Sequence, residues 1–275
     1  MGGVSQRFKD KGYLLPKSLL DVDGKPMIEH IVSNFSSDDD LTFICNKELL
    51  ESSNLAQVLS RISPNGRIVE IEPHKNGPVH TVLMGMQGIN QEKPVIVNYC
   101  DFGWNWNYLD FKNEMRESGA AGCVVGYTGF HPHLLHGNLY AGIRADEGNR
   151  IVEIKEKHRF TQDPMKTIHS SGTYYFSSGE LMKEYFLDAV HQKKRVNGEF
   201  YVSSVYEQMV ADGLDVRTYI IPKFMQWGTP EDFKEYQKWS HAFRKGTAEN
   251  LVKSQDTRRT HDYWKEHFDS LKGRK

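Results

Sequence analysis

Glycines and basic residues crowd the first 26 positions of this 275-residue chain. Gly2-Gly3-Val4-Ser5-Gln6-Arg7-Phe8 is followed by Pro16-Lys17 and then by Gly24-Lys25-Pro26. Glycines let backbone N–H groups come close to phosphate oxygens, and arginine and lysine neutralise their charge. Such a loop can hold a phosphorylated small molecule. It is neither GxxxxGK[ST] nor GxGxxG, and a Gly-Gly turn beside basic residues is by itself equally a solvated loop. Asp101 closes the apolar run Val95-Ile-Val-Asn-Tyr-Cys100. Ligands bind at strand ends in open α/β sheets, and a carboxylate there suits a hard cation; the plain alternative is a cap on the next helix. Other constellations carry less. His131, His133 and His136 lack the cysteine or carboxylate support of a metal site and read as loop histidines or acceptor contacts. Asp21-Val-Asp23 is a DxD, either a glycosyltransferase manganese site or a short strand and turn. Asp101-Phe-Gly103 mimics a kinase DFG without the accompanying kinase segments. Trp104 and Trp106 either stack on a ligand or cover the core.

The elements that must position these residues follow from hydrophobic periodicity. The spacing predicts helices over 26–35, 47–62, 77–88, 108–118, 179–190, 201–212 and 230–239, the last with Thr229 as N-cap and Pro230 at its first position. Apolar runs predict strands over 41–45, 67–71, 95–100, 121–127, 139–143, 150–156, 172–176 and 215–221. Alternation of strands and helices through residue ~127 argues for an α/β layer with a mainly parallel sheet. Residues 128–200 look richer in strands and read as a smaller inserted lobe. Residues 240–275 are highly charged and read as a peripheral, frayed helical tail. A glycine-rich phosphate loop normally follows a strand, and nothing precedes this one. The expectation is a natural protein that begins upstream, with a short Val/Ile-rich strand leading into Met1.

Composition sets outer limits. Lys plus Arg number 35 and Asp plus Glu 36, so the basic excess of a general nucleic-acid binder is absent. No apolar run approaches the ~18 residues of a membrane span. The N-terminal stretch lacks the apolar segment of a signal peptide. Cys45, Cys100 and Cys123 are odd in number and show no CxxC spacing, which points to the reducing cytoplasm.

Taken together, MGGVSQRF, the Pro16-Lys17 pair and Gly24-Lys25-Pro26-Met27-Ile28 resemble the opening signature of the sugar-phosphate nucleotidyltransferases, the enzymes that make nucleotide-activated sugars. Further segments match in order. Glu72-Pro-His-Lys-Asn-Gly-Pro-Val-His-Thr81 resembles the base-binding stretch, and Val95–Asp101 the strand that ends on the magnesium aspartate. Ile151–Lys157 resembles the acceptor-holding segment, Ser170-Ser-Gly-Thr-Tyr-Tyr175 the strand beside the acceptor, and Trp227-Gly-Thr-Pro-Glu-Asp232 the closing motif. The resemblance covers residues 1 to ~240, with 241–275 as the tail. It implies a doubly wound, mostly parallel sheet of Rossmann-like type with a small β-rich acceptor-side lobe.

The implied reaction moves a nucleoside monophosphate from a nucleoside triphosphate to a phosphorylated acceptor, a sugar 1-phosphate, with release of pyrophosphate. Surface-polysaccharide precursor synthesis is the implied pathway. The resemblance puts Gly2, Gly3, Ser5, Lys25 and Gly77 on the nucleotide, Arg7 on the leaving phosphates and Lys17 on the α-phosphate. Asp101 would hold Mg²⁺, and Glu156, Lys157, Gly172 and Glu199 the acceptor. Gln226 departs from the pattern, because many relatives carry an aspartate there as a second magnesium ligand. Two alternatives stand beside this: a cytidylyltransferase acting on a non-sugar phosphate, and a nucleotide-sugar-binding module that has lost catalysis. The base is not specified; His74 and Lys75 lie near Gly77 and are not ranked.

Overall fold

The computed structural model describes residues 1–3, 6–137 and 140–272. The glycine loop opens into a short helix, α1 (Gln6–Asp10), anchored by the buried Phe8, whose ring meets Tyr13 and Phe233 edge-on. Lys17–Leu19 form a single 3₁₀ turn. Two-residue strands β1 (Asp21–Val22) and β2 (Lys25–Pro26) then pair through Asp23-Gly24, both at positive φ, the geometry of a tight hairpin turn. Helix α2 (Met27–Val32) buries Met27, Ile28 and Ile31.

Strand β3 (Thr42–Asn46) lies parallel to β4 (Arg67–Ile71), joined by α3 (Lys47–Glu51) and α4 (Leu55–Ile62). The single helix expected over 47–62 is broken at Ser52-Ser53-Asn54, where Ser52 and Ser53 donate back to helix carbonyls and Ser53 Oγ takes the Leu55 N–H. Helix α5 (Pro78–Met84) follows Gly77.

Strands β5 (Val95–Asn98) and β6 (Phe102–Asn105), helix α6 (Tyr108–Ser118) and β7 (Gly122–Tyr127) complete the first half. A hairpin of β8 (Gly142–Ala145) and β9 (Ile151–Lys155) leads to the long β10 (Ile168–Phe176). Helices α7 (Gly179–His191) and α8 (Val202–Ala211) return the chain to β11 (Val216–Ile220), and β12 (Lys223–Gln226) precedes α9 (Pro230–Arg244) and α10 (Gln255–Lys272).

The architecture is α/β, as expected, but the sheet is mixed rather than mostly parallel. Its order is β11-β7-β10-β8-β9, with β5 on β10. β11 and β7 are parallel, whereas β10 is antiparallel to β7, β8 and β5. The reason lies between β7 and β10. Parallel neighbours need a crossover, usually helical, and the described residues of 128–167 supply only 3₁₀ turns and a hairpin, so the chain comes back antiparallel. The segment expected as an inserted lobe thus extends the main sheet through β8. Two short strands went unforeseen: β6 and β12 pair antiparallel, Phe102 opposite Gln226.

Through Lys272 the C-terminal segment is not frayed. α10 buries Tyr263, Trp264, His267 and Phe268, most of them in the same cluster as Phe8, Trp104 and Trp227. The buried Lys223 ties it to β12 by donating to Tyr263 O at 3.0 Å and Glu266 Oε2 at 2.9 Å.

Candidate active site

Gly2, Gly3, Lys17, Gly77, Asp101 and Glu199 line one cavity of about 1230 Å³. The glycine loop is seated by Asn46 at the end of β3, whose amide donates to Gly2 O while its Oδ1 caps α3. Gly2 is buried, and a Cβ on it would lie 2.6 Å from Thr81 Oγ1; Gly3 faces open space. Gly77 has φ 91° and ψ 179°, backbone that glycine alone adopts readily. A Cβ there would meet Phe200 N and O at 2.8 Å. Those two atoms are engaged: Phe200 N donates to Asn76 O, and Val79 N donates to Phe200 O. The start of α5 is therefore stitched to residues 199–201.

Lys17 Nζ donates to Asp101 Oδ2 at 2.7 Å, both side chains about a quarter exposed. Burial alone would lower the Lys17 pKa; the Asp101 carboxylate more than offsets it, and the ammonium is held above its ordinary range. Arg7 is exposed on α1, and its charge acts on Lys17 and Tyr201. The neighbouring Ser18 Oγ is buried in the cavity wall with no partner among the described residues, a hydroxyl left for a ligand or water.

Glu199 and Tyr201 line the cavity beside Gly77, whereas Lys157, Glu156 and Gly172 are not among its lining residues; Lys157 Nζ donates to Tyr201 OH at 3.1 Å and Tyr201 donates to Glu199 Oε2. Burial and Glu199 together push the Tyr201 phenol up. Glu156 accepts from Ser203 Oγ, and burial raises its carboxyl pKa. Gly172 sits at φ 91° beside the bulge in β10, passing its carbonyl to Tyr99 N at 3.1 Å; a Cβ would press on Tyr99 and Phe102. Tyr201 and Ser18 were not singled out from sequence. Ser18 follows the Pro16-Lys17 pair and Tyr201 lies two residues after Glu199, and nothing in local spacing marks either.

Residues 1–161 match the profile of the MobA-like NTP transferase domain. The chain belongs to that family. It is 24% identical over 254 residues to the bifunctional protein GlmU of Exiguobacterium sibiricum, an alignment covering 91% of this chain and 53% of that protein. It is 24% identical over 182 residues to a putative mannose-1-phosphate guanyltransferase of Sulfolobus acidocaldarius, covering 66% of this chain and 48% of that one. The chain thus spans about half the length of these curated relatives. Among solved structures, a nucleoside-diphosphate-sugar pyrophosphorylase from Vibrio cholerae shares the fold with a TM-score of 0.69 at 20% identity, covering 86% of this chain and 98% of that one.

Within this NTP transferase fold the remaining candidates fall as follows. Lys25 is directed along α2 to Glu29 Oε1 at 3.1 Å, and does not line the cavity. Ser5 lies outside the described residues. A Cβ built on Gly228 would sit 2.7 Å from Asp101 Oδ2 and 3.4 Å from Gln226 Oε1, so these two oxygens converge on one spot. Gln226 Oε1 also takes the Gly228 N–H at 3.3 Å. Two oxygen donors of this kind fit Mg²⁺, which usually takes one or two carboxylates and leaves the rest to phosphates and water. Among the described residues no group of three or more His, Cys, Asp or Glu side chains could hold a metal.

His131 and His133 are core groups: Phe224 N donates to His131 Nε2, and His133 Nε2 shares a hydrogen bond with Tyr127 OH. Burial pushes the His131 pKa down to about 3. Asp23 of the DxD receives Tyr236 OH at 2.6 Å and Arg244 at 3.1 Å, which locks the β1–β2 hairpin onto α9. Trp104 is buried against Phe35, Phe102 and Trp106, and Trp106 donates to Asn34 O, so the two tryptophans cover the core. His74 lines the cavity; its Nδ1 takes the Asn76 N–H, which leaves Nε2 to donate to Thr81 Oγ1. Lys75 is exposed and outside it.

Proposed function

We propose that the protein transfers a nucleoside monophosphate from a nucleoside triphosphate to a sugar 1-phosphate and releases pyrophosphate. The observation that carries this is the convergence, in one cavity, of the glycine loop, the Lys17–Asp101 pair and the Gly77 turn with Glu199 and Tyr201, to which Lys157 is hydrogen-bonded from outside the lining. The first three are phosphate-, cation- and base-facing elements; the last presents donors and a carboxylate to a polyol phosphate. Family membership supports the reaction class, and the guanyltransferase named above acts, by its name, on mannose 1-phosphate.

The chemistry needs no general base, because a phosphate monoester is mostly ionised at pH 7. An acceptor phosphate oxygen attacks the α-phosphorus, a new P–O bond forms, and the bond to the bridging oxygen breaks with its electron pair leaving on pyrophosphate. Catalysis is then alignment and charge. The backbone N–H groups of Gly2 and Gly3 and the Arg7 guanidinium hold the β- and γ-phosphates. Lys17 exchanges part of its contact with Asp101 for the α-phosphate oxygen, where negative charge builds. Lys157 holds the acceptor phosphate, Glu199 and Glu156 accept from sugar hydroxyls, and Gly172 keeps the floor beneath them low. Asp101, with Gln226 beside it, would hold Mg²⁺, which supplies positive charge to the nucleotide phosphates. The triphosphate, the phosphorylated acceptor and the metal imply a cytoplasmic enzyme, and no helix among the described residues is long and apolar enough to cross a membrane. The likeness to NDP-sugar enzymes favours a role in making glycan precursors.

Incubation with Mg²⁺, each common nucleoside triphosphate and a panel of sugar 1-phosphates, with pyrophosphate as the readout, tests this directly. Acceptor-dependent pyrophosphate release is the expected result. Nucleotide binding without release under every pairing overturns it in favour of a binding module.

A further inference from the structure

The segment that enters α5 is closed on itself by a single imidazole. His74 Nδ1 takes the Asn76 N–H at 3.1 Å, and His74 Nε2 lies 3.1 Å from Thr81 Oγ1. Thr81 Oγ1 in turn donates to Gly77 O at 3.2 Å, so the hydroxyl proton is spent and the ring supplies the one between His74 and Thr81. The tautomer is thereby fixed, with a bare Nδ1 and a protonated Nε2. Both ring nitrogens are committed within residues 74–81, and neither is left to read a nucleobase. What the ring holds is the turn at Gly77. Asn76, just before it, is gripped at both ends, its N–H on His74 and its carbonyl on Phe200 N at 2.8 Å. The Thr81 hydroxyl also lies against Gly2, where a Cβ would stand 2.6 Å from it, so the glycine loop rests on the same clasp.

A second proton on the ring would undo this. Nδ1–H would face the Asn76 N–H, donor against donor, and a main-chain N–H in a half-buried loop would lose its acceptor. The surroundings keep that proton off. Burial is the first cause. The charge of His80 on α5, whose ring meets His74 edge-on at 4.9 Å, and the Met1 amino group follow, and together they hold the His74 pKa below its ordinary value. Glu72 and Lys75 flank His74 on its own segment and are exposed. A histidine shifted in this direction contributes fully above the ordinary 6.5 and loses its contribution as pH falls through the folded value.

We propose that His74 is a positioning residue, a clasp that holds the Gly77 turn and the glycine loop in their nucleotide-binding arrangement only while its ring is neutral, so that acid loosens the site's grip on nucleotide. This role rests on the assignment of the cavity to a nucleoside triphosphate made above. His74 acts there through Asn76 and Thr81 and touches no substrate.

The test compares wild type with His74→Ala, which removes the clasp, and with His74→Asn, whose Oδ1 stands where Nδ1 does and accepts from the Asn76 N–H without titrating. The readouts are nitrogen-15 shifts of the His74 ring, which give its tautomer and pKa, amide exchange at Asn76 and Phe200, and dissociation constants for magnesium nucleoside triphosphates across pH. Each constant is taken relative to wild type at the same pH, which cancels the titration of the ligand's own phosphates. At about pH 8, His74→Ala is expected to bind ~5–10-fold more weakly and to exchange faster at both amides by a similar factor, with His74→Asn within ~2-fold of wild type. As pH falls through the His74 pKa, the alanine ratio collapses toward unity and the asparagine variant becomes the tighter binder. A His80→Gln chain keeps that collapse, which separates His74 from its neighbour. An alanine ratio constant with pH overturns the proposal, and so does a ring protonated on Nδ1 at about pH 8. Should wild type bind no triphosphate at any pH, the nucleotide assignment fails by itself and exchange decides the clasp: faster exchange in His74→Ala sustains it, and equal exchange at Asn76 and Phe200 overturns it.

Discussion

Gly77→Ala isolates the backbone position that seats the start of α5 against residues 199–201. The native φ of 91° and ψ of 179° lie in a region essentially reserved for glycine, and forcing alanine into it costs ~1–3 kcal/mol. The new Cβ would also stand 2.8 Å from both Phe200 N and Phe200 O, closer than real Cβ atoms come. Backbone cannot swing aside as a side-chain tip can, so Phe200 must retreat and strain its bonds to Asn76 and Val79, at ~0.5–1.5 kcal/mol each. The sum is roughly 2–6 kcal/mol, or about 5–20 °C in Tm for a domain near this size. Gly3→Ala is the control: its Cβ meets nothing within 4 Å, and its Tm should stay within about 2 °C of wild type. Differential scanning calorimetry of the two variants, with triphosphate affinity by titration calorimetry, reads both effects. Gly77→Ala melting beside Gly3→Ala would refute the argument that this glycine is required by geometry.

Asp101→Asn should cut turnover by ~10²-fold or more, the scale of losing a main electrostatic contact, while Tm drops only a few degrees because the pair with Lys17 is partly solvated; steady-state rates over a magnesium titration check it. Gln226→Asp adds a carboxylate where two oxygens already converge and should retain activity at a lower magnesium requirement in the same titration. Glu156 has its carboxyl pKa raised by burial, so its favourable contribution is present below the ordinary value of 4.5 and lost as pH rises through the folded value. Glu156→Gln should therefore raise Tm at pH 7, match wild type near pH 4, and raise KM for the acceptor. Trp264→Ala should cost ~3–5 kcal/mol by chemical denaturation, since the ring is buried in the main core; a near-neutral result would mean that α10 is peripheral after all.

The sequence exposed what local chemistry determines. Thr229 caps α9 by accepting from Asp232 N, and the apolar runs at 42–46, 67–71 and 95–98 are strands, because cap side chains and periodicity act within a few residues. β6 and β12 escaped because each is four residues long and is a strand only by virtue of the other, more than a hundred positions away. The sheet's direction escaped for a similar reason: it depends on how β7 returns to β10, which is topology rather than pattern. α10 carries a narrow stripe of Tyr263, Trp264, His267 and Phe268 that its charge count hides. In the site, glycines and charges stood out by type, whereas Ser18 and Tyr201 acquire meaning only from what folds around them.

The stitch between Asn76–Val79 and Phe200 makes the Gly77 turn and residues 199–201 mechanically one. Under the proposed function, a nucleotide that stilled the turn at Gly77 would also still Glu199 and Tyr201 beside it, so the second ligand would meet a surface already ordered. Linkage then demands reciprocity: whatever factor the nucleotide adds to acceptor affinity, the acceptor returns to the nucleotide. Under the proposed function, binding would be cooperative without any large movement, and the two substrates would report on each other through three hydrogen-bonded residues of main chain.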